Sequence, residues 1–403
     1  MAGPAVEAWT LSRRGLLAAA ATTLLAACGR DEEQTGPPGT GAKELVIGAS
    51  LELSGVGKVL GVQQERALQI TADTLNEVGV PVGNLRRNIR LVVRDNASDP
   101  RVAAQHTAEL ATRENVHALI GGCLAETSLA IAPVAQQQQL PFISFAGADN
   151  ITLPLAQRTF VFRLTPDARD VARALAQLIR TQRHERVALL AASGAHGDSG
   201  VRAITAALRG VDSELVRSVR LPRAENADFG PAAERIAGKN PEAVIVWATA
   251  PYAGAAARAL RKADYTGPIL FDSGAVAEET LSPENAPAVE GAYAVHPISL
   301  GGSSLTNTTT AGLARRDFVY RYVHQHGSFS GFAPYASDAL QLVVNAARLA
   351  KSVDRGRLRA YLGNQITEGI AGAYSFAPIR HGGMDADSLG VFTVSSGAWS
   401  RVS

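Results

Sequence analysis

The sequence predicts an α/β protein with two lobes, each a doubly wound parallel sheet covered by helices. From Glu44 onward, short apolar strands alternate with stretches whose apolar residues recur at helical spacing. This alternation begins a second time at Arg186. A βαβα order favours parallel sheets with helices on both faces, and two such series favour two lobes. A chain of 403 residues is long enough for two separate cores.

The first series opens with a strand at 45–48 and a helix at 63–78. Asp99 and Pro100 begin the next helix, because an aspartate caps a helix N-terminus and a proline fits its first turn. The other strands of this series are predicted at 89–93, 116–120, 142–145 and 161–164.

The second series alternates strands and helices in the same way. Its strands are predicted at 187–191, 214–221, 243–247 and 269–271, and its helices at 199–208, 232–237 and 253–263. The last part of the chain differs, with three helices predicted at 311–326, 335–353 and 357–362. Alternating residues around Ser396-Gly397 then predict a β-hairpin.

The N-terminal residues are typical of an exported lipoprotein. Residues 12–17 resemble a twin-arginine signal, and the apolar run at 15–27 is too short to span a bilayer. Residues 25–28 resemble a lipobox, so Cys28 is the predicted lipidation site. The alternatives are an ordinary signal peptide with an incidental cysteine, and export by the general secretory route. The sequence thus predicts a signal peptide at 1–27 and a flexible, glycine- and proline-rich linker at 28–43.

Composition argues against several classes of partner. The formal net charge is only +2 and no basic stripe is interleaved with aromatic residues, so no nucleic acid is expected. With Cys28 lipidated, Cys123 stands alone and no disulfide is expected. The eight histidines are scattered, so no metal site is predicted, and no cofactor is expected. No stretch after the signal is long and apolar enough to cross a membrane.

Several short motifs occur in a specific order along the chain: 47–48 with 53–55, DNASDP at 95–100, IGG at 120–122, PFIS at 141–144 and a closing stretch at 390–399. In these motifs, residues 44–403 resemble type I periplasmic binding proteins, specifically the branched-chain and hydrophobic amino-acid and amide receptors of ABC transporters. The resemblance implies two Rossmann-like lobes joined by a three-strand hinge. It places lobe I at 44–165 plus 296–380 and lobe II at 166–295 plus 381–403. Ligand is then expected in the cleft between the lobes.

The resemblance also implies which residues of lobe I meet the ligand. Family members cradle an amino-acid carboxylate with backbone N–H groups and two hydroxyls, in two loops. The corresponding residues here are Ala125, Glu126 and Thr127 in one loop and Ala146, Gly147 and Ala148 in the other. Ala125 and Ala148 stand at the hydroxyl positions, and Thr127 is a candidate substitute. Leu60 and Phe332 fit the apolar wall, although core packing explains them equally well.

In lobe II the resemblance implicates four residues. His196 stands where the family places an aromatic ring on the ligand, with a surface histidine as the alternative. Thr249 stands at the position of a tyrosine, and Ser273 at that of the acidic partner of the ligand's ammonium, with Asp272 beside it. An unpaired buried ammonium is costly. A zwitterionic ligand therefore requires Asp272 or Glu126 to turn in; otherwise the ligand lacks an ammonium, as in an amide or organic acid.

Gly197-Asp198-Ser199-Gly200 reads like the nucleophile loop of a trypsin-type protease. Val201 follows instead of glycine, and the surrounding pattern is strand, loop and helix without a convincing histidine motif. The structural interpretation is that Gly197 allows a tight turn and that Asp198 or Ser199 caps the next helix. A hydrolase using Ser199 is a third hypothesis, and the chain is predicted not to be an enzyme.

Together these features predict an extracytoplasmic solute-binding lipoprotein of an ABC importer. It would bind an amino acid or a related small amide or carboxylate between two lobes. Its expected partners are ABC permease subunits, and it is expected to be a monomer anchored by lipid to the outer face of the bacterial cytoplasmic membrane. The alternative is a surface sensory or regulatory protein of the same fold. The identity of the ligand stays open.

Overall fold

The computed structural model describes residues 44–222, 227–300, 309–329 and 331–402. The predicted signal peptide and the whole predicted linker, including Cys28, lie outside these residues. The strands are β1 Glu44–Leu51, β2 Val80–Val82, β3 Leu85–Asp95, β4 Ala118–Gly121, β5 Phe142–Ser144, β6 Val161–Arg163, β7 Arg186–Ala191, β8 Glu214–Arg220, β9 Ala243–Trp247, β10 Ile269–Phe271, β11 Tyr293–Pro297, β12 Ile366–Glu368, β13 Ala373–Ser375, β14 Leu389–Ser395 and β15 Ala398–Arg401.

The helices are α1 Lys58–Val78, α2 Pro100–Thr112, α3 Ala125–Gln137, α4 Ala168–Thr181, α5 Ala195–Leu208, α6 Gly230–Ala237, α7 Tyr252–Lys262, α8 Ala286–Val289, α9 Thr310–His326, α10 Ala333–Ala350 and α11 Arg355–Leu362. As predicted, Asp99 caps α2, where its carboxylate accepts the N–H of Arg101 at 2.7 Å. In the described part of the chain, no helix combines the length and the apolar character that a membrane span requires.

The strands form two large sheets. The first has the order β2-β3-β1-β4-β5-β6 and is parallel except for the β2–β3 hairpin. The second has the order β15-β14-β11-β10-β9-β7-β8, with antiparallel β14 and β15 at one edge. We call each sheet, with the helices packed against it, a lobe. The predicted α/β class with two doubly wound lobes is confirmed.

Each sheet is covered on both faces, because successive side chains of a strand point to opposite sides. In the first lobe, Ile47 joins the core beneath α1 and α10, whereas Val46 joins the core beneath α2 and α3. In the second lobe, Leu190 faces α6 and α7, whereas Leu189 faces α4 and α5. The central strands β1, β4, β5, β7, β9 and β10 are therefore buried on both faces, which explains their continuous apolar runs in the sequence.

The chain passes between the two sheets three times. It leaves the first sheet after β6 and returns after β11 to the first lobe, where α10 packs in the core beneath α1. It then enters the second sheet again at β14. Just before the last passage, Gly382 still makes a parallel bridge to Arg163. The lobe limits predicted from the sequence, 44–165 with 296–380 and 166–295 with 381–403, stay a prediction.

Helix α5 corrects one local interpretation of the sequence. It begins at Ala195, four residues before the predicted start, because Gly194 has a φ of 105° and takes the turn. Gly197 therefore lies inside the helix, where it permits close packing: a Cβ there would stand 1.7 Å from the carbonyl oxygen of Ala192. Neither Asp198 nor Ser199 caps the helix, and Asp198 instead pairs with Arg220 at 2.6 Å.

A buried carboxylate connects α10 to the segment after α11. Asp338 accepts the N–H groups of Ile370 and Ala371 at 2.6 and 2.8 Å, and the Tyr374 hydroxyl at 2.8 Å. Burial raises the pKa of Asp338 to about 6, against the opposing effect of these hydrogen bonds. The turn at 369–371 is thus held by one side chain.

We expect Asp338→Asn to lower the free energy of unfolding by about 2 kcal/mol, because the amide nitrogen cannot accept a backbone N–H group. Chemical denaturation followed by circular dichroism measures this difference. Asp387→Asn is the control, since Asp387 is exposed and the change there should be close to zero. Equal stability of the two variants would contradict the role given to Asp338.

Candidate functional site

The candidate site lies where strand ends of the two lobes face each other. Carboxyl ends of parallel strands share one edge of a sheet, and loops at this edge form the binding sites of open α/β sheets. In the first lobe, the loop after β5 carries Gly147. In the second lobe, α5 begins just after β7 and carries His196, and the turn after β10 carries Asp272. The structure brings these three sequence-predicted residues together.

His196 bridges the two lobes. Its Nδ1 lies 2.8 Å from the carbonyl oxygen of Gly147 in the first lobe. Its Nε2 lies 3.0 Å from Oδ2 of Asp272 in the second lobe, and only 12% of the side chain is exposed. Both ring nitrogens thus face acceptors, which suits the doubly protonated imidazolium, where each nitrogen is a donor.

Asp272 is held in place by its own lobe. The buried carboxylate accepts the N–H of Ala248 at 3.0 Å and that of Gly274 at 3.0 Å, in addition to facing His196. A carboxylate with this many fixed donors is rigid, and turning it toward a ligand would leave backbone N–H groups unpaired. The arrangement therefore argues against the predicted turn of Asp272 toward a ligand ammonium.

The surroundings of His196 set its charge. Burial acts to lower the pKa of His196, but the carboxylate of Asp272, the carbonyl of Gly147 and the charge of Glu126 outweigh burial, and the pKa is raised. The imidazolium form is accordingly more stable here than in a free histidine side chain. Glu126, in the first turn of α3, belongs to this electrostatic group although it is only partly buried.

A second polar cluster lies at the start of α3, around Glu52. This fully buried carboxylate accepts the N–H groups of Cys123 at 3.0 Å and Leu124 at 3.3 Å. The Thr127 hydroxyl donates to it as well, so this hydroxyl already has a partner within the protein. The Cys123 Sγ lies 2.6 Å from it, and burial together with the charge of Glu52 raises the pKa of this thiol well above its usual range.

The remaining predicted residues are distributed between the cleft and the cores. Leu60 and Phe332 are buried in the core beneath α1 and α10, so the core-packing alternative describes their position. Thr249 and Ser273 are partly exposed beside Gly274, where a Cβ would stand 2.9 Å from Cγ2 of Thr249. Three alanines are buried in the core beneath α2 and α3: Ala125, Ala146 and Ala148.

Ser199 is not arranged as a nucleophile. It is buried, and its hydroxyl accepts the N–H of Asp149 at 3.3 Å and faces Arg202 at 3.3 Å. The neighbouring His196 directs its ring nitrogens to Gly147 and Asp272 instead. A serine without a base in hydrogen-bond reach lacks the activation that covalent catalysis needs.

A cavity of about 940 Å³ lies away from these clusters, beside the start of α4 and the segment around β12 and β13. Its lining is strongly charged and includes Asp170, Arg173, Arg315 and Arg380. None of the predicted ligand residues lines it. Among the described residues, no group of three or more potential metal ligands is present.

A family model described as periplasmic binding protein matches residues 44–397. The chain belongs to this family. Periplasmic binding proteins are solute-binding proteins that act outside the cytoplasm and are not enzymes, which removes the hydrolase hypothesis for Ser199.

Solved structures of periplasmic binding proteins share the fold. An extracellular ligand-binding receptor from Rhodopseudomonas palustris HaA2 has a TM-score of 0.81 at 24% identity, covering 89% of this chain and 99% of that one. A branched-chain amino acid transporter substrate binding protein from Streptococcus pneumoniae, in complex with isoleucine, has a TM-score of 0.76 at 23% identity, covering 89% and 99%. A periplasmic binding protein type 1 from Bordetella pertussis has a TM-score of 0.78 at 20% identity, covering 89% and 100%.

Similarity to curated proteins covers a smaller part of this chain. Metabotropic glutamate receptor 4 from Mus musculus is 23% identical over 182 residues, which are 44% of this chain and 20% of the receptor. The corresponding receptor 6 from Oryctolagus cuniculus is 26% identical over 161 residues. The match thus spans about a fifth of the length of these relatives.

Glu52 is the residue that sequence analysis missed. It follows a buried strand and precedes a Ser-Gly turn, a position where a charged residue is unusual beside fully apolar neighbours. That isolated charge was the available signal. Its partners lie more than 70 residues away in the chain, so spacing alone gave no indication of the cluster.

We expect the loss of stability caused by His196→Ala to depend on pH. Because the folded-state pKa of His196 is raised above 6.5, its contribution is complete below pH 6.5 and is lost as the pH rises through the folded value. The variant should lose about 2 kcal/mol of unfolding free energy at pH 5.5, from the hydrogen bond to Gly147 and the ion pair with Asp272, and clearly less at pH 9.

Denaturant titrations of wild type and variant at both pH values measure this difference. His324→Ala is the control, because His324 is exposed on α9 and its removal should have the same small effect at both pH values. A loss at His196 that is independent of pH would contradict the charged bridge.

Proposed function

We propose that this protein is the lipid-anchored solute receptor of an ABC importer, and that it binds an amino acid or a related small amide or carboxylate between its lobes. The observation that carries the proposal is the meeting of the two sheet edges at His196, Gly147 and Asp272. Membership of the periplasmic binding protein family supports a solute-binding role.

The geometry supports binding by closure. His196 belongs to the second lobe and Gly147 to the first, so their 2.8 Å contact exists only when the lobes are together. Asp149 of the first lobe also donates its N–H to Ser199 of the second. A cleft that opens by a hinge motion would break both contacts and expose the strand ends to solute.

Several residues are proposed to line the cleft around this bridge. Glu126 and Gly147 would contribute from the first lobe, and His196, Thr249 and Ser273 from the second. These side chains and backbone groups surround the His196 bridge or adjoin Gly274 beside it. Ala148 would contribute its backbone N–H group, whereas Ala146 already uses its N–H on Ser144 and its carbonyl on Thr165. Asp272 would act by orienting His196.

The solute class is proposed from the structural relatives. The Streptococcus pneumoniae protein is in complex with isoleucine, and a substrate-binding protein from Desulfitobacterium hafniense is in complex with leucine. Both are less than 25% identical to this chain, so they support the class of small amino-acid-like solutes and no particular member.

A sensory role is the second candidate function. The partial similarity to metabotropic glutamate receptors favours it, because those relatives are receptors. The two roles make different demands on partners. The test uses vesicles that carry an ABC permease and its ATPase. Solute uptake that depends on this protein supports import, and solute binding without uptake supports sensing.

Ligand binding should depend on His196. In isothermal titration of wild type with leucine, isoleucine, glutamate, leucinamide and small carboxylates, we expect at least one ligand in the micromolar range. His196→Ala should weaken that affinity by about tenfold or more, since a lost hydrogen bond to a charged group costs roughly 1.5–3 kcal/mol. His324→Ala should bind as wild type does. Absence of binding across the panel would overturn the proposal.

Membrane attachment should depend on Cys28. In a bacterial host with the lipoprotein pathway, the full chain should fractionate with membranes and carry an acylated N-terminal cysteine by mass spectrometry, because acyl chains hold a protein at the membrane surface. Cys28→Ala should move the protein to the soluble fraction, whereas Cys123→Ala should leave it with the membranes. Membrane attachment of the Cys28→Ala protein would contradict the lipid anchor.

A further inference from the structure

We propose that one face of the first lobe lies against an anionic lipid surface. This surface, which we call the amino face, is formed where the parallel strands of the first sheet begin. It comprises Glu44, the turn 83–87, residues 113–117 and the segment 351–359. The inference rests on the proposed function in one respect, because it takes the protein to be tied to a membrane.

The amino face is defined by the parallel pairing of the strands. Glu44 pairs with Asn88, and Ile47 pairs with Ala118, so β1, β3 and β4 begin at the same edge of the sheet. The described chain begins with Glu44 at this edge. The chain that leads back to Cys28, the proposed lipid anchor, therefore leaves the body of the protein at the amino face.

Helix α11 and the turn between β2 and β3 complete the face. Arg355, the first residue of α11, donates from Nε to the carbonyl oxygen of Val116 at 3.0 Å, just before β4. A Cβ at Gly83 would stand 3.2 Å from the carbonyl oxygen of Lys351. The turn, the start of β4 and the segment 351–359 thus form one continuous surface, although they are far apart in the sequence.

Positive charge dominates the exposed side chains of this face. The exposed cations are Arg86, Arg113, Lys351 and Arg357. Two carboxylates at the same edge are already paired, Glu44 with Arg90 at 2.9 Å and Glu114 with Arg94 at 2.8 Å. Asp354 is exposed and caps the N-terminus of α11. The charge pattern is complementary to lipid phosphates.

His117 gives a second indication of the local potential. Burial and the charges of Arg87, Arg355 and Arg90 lower the pKa of His117 to about 4. A proton on this ring would be repelled by three arginines of the same edge. The potential at the amino face is accordingly positive, and a positive potential attracts anions.

Apolar side chains stand beside the cations. Val78 is 70% exposed and Leu85 is 43% exposed. Arg86 lies between them, because its Nη1 donates to the carbonyl oxygen of Val78 at 2.8 Å and it follows Leu85 in the chain. A surface that presents cations next to apolar groups suits the boundary between lipid headgroups and acyl chains.

The contact would orient the anchored protein and would not hold it alone. A cation near an anionic lipid surface contributes about fivefold in affinity, and salt screens it beyond about 8 Å at physiological ionic strength. Four exposed cations are thus consistent with release of the Cys28→Ala protein from membranes. The loop of Gly147 lies at the opposite edge of the same sheet, so the cleft would face away from the lipid.

The amino face can be tested without the lipid anchor in a chain of residues 44–403. The buried cores of both lobes are formed by residues between 45 and 394, so this chain keeps all of them. At about 20 mM salt, we expect at least about fivefold more protein to sediment with vesicles of phosphatidylglycerol and phosphatidylcholine than with phosphatidylcholine alone. About 300 mM salt should release most of it. Equal sedimentation with the two kinds of vesicle, or binding that salt does not weaken, would overturn the inference.

A pair of charge reversals tests whether this face is the one that binds. Lys351→Glu combined with Arg357→Glu should lower the fraction bound to anionic vesicles by about threefold or more, because both side chains are exposed on the amino face. The matched control is Lys58→Glu combined with Arg101→Glu. It makes the same change of charge at the other edge of the same sheet, where α1 and α2 begin.

The control protein should bind the vesicles as the unmodified chain does, and circular dichroism should show both variants folded. If the control loses as much binding as the test pair, the attraction belongs to the overall charge and the inference is wrong. A full chain without acylation at Cys28 would refute the anchor in the proposed function. Vesicle binding by residues 44–403 would still decide the role of the amino face.

Discussion

The cleft is organised by one constraint: polar groups buried between the lobes must keep partners, because an unpaired buried charge costs several kcal/mol. His196 finds its partners in both lobes. Its Nδ1 contacts the carbonyl oxygen of Gly147 in the first lobe, and its Nε2 contacts the carboxylate of Asp272 in the second. Its partners come from different lobes, so the contact is satisfied only in the closed arrangement. Burial alone would favour a neutral imidazole, and the acceptors on both sides reverse that preference.

Two carboxylates beside the cleft obey the same constraint within single lobes. Glu52 follows β1 and accepts the first N–H groups of the turn into α3, and Asp272 follows β10 and accepts the N–H groups of Ala248 and Gly274. These two carboxylates therefore keep their backbone partners whether or not the lobes meet. Halves that need little from each other can separate as rigid bodies, which is what a hinge mechanism requires.

The strands could be predicted because their apolar runs are local, and β9 and β10 agree with the expected residues. The start of α5 could not be predicted, because the residue before the helix is Gly194 and no side chain caps the helix. His196 and Asp272 were each predicted to face the cleft, but not to face each other, since chain order does not reveal that pairing. Glu52 was missed for the same reason, and its role depends on contacts that only the fold creates.

The closing contacts and the candidate ligand contacts come from the same loop. Gly147 accepts from His196, and Asp149, two residues later, donates to Ser199 and lies 3.9 Å from Arg163 at the first passage between the sheets. A solute bound beside Gly147 would therefore shift the equilibrium between open and closed lobes. It would act through the loop of Gly147 and Asp149, which also contacts Arg163 at the first passage between the lobes. Ligand binding and lobe closure are then coupled. A ligand shifts the equilibrium between the open and closed protein only through contacts that differ between these two states.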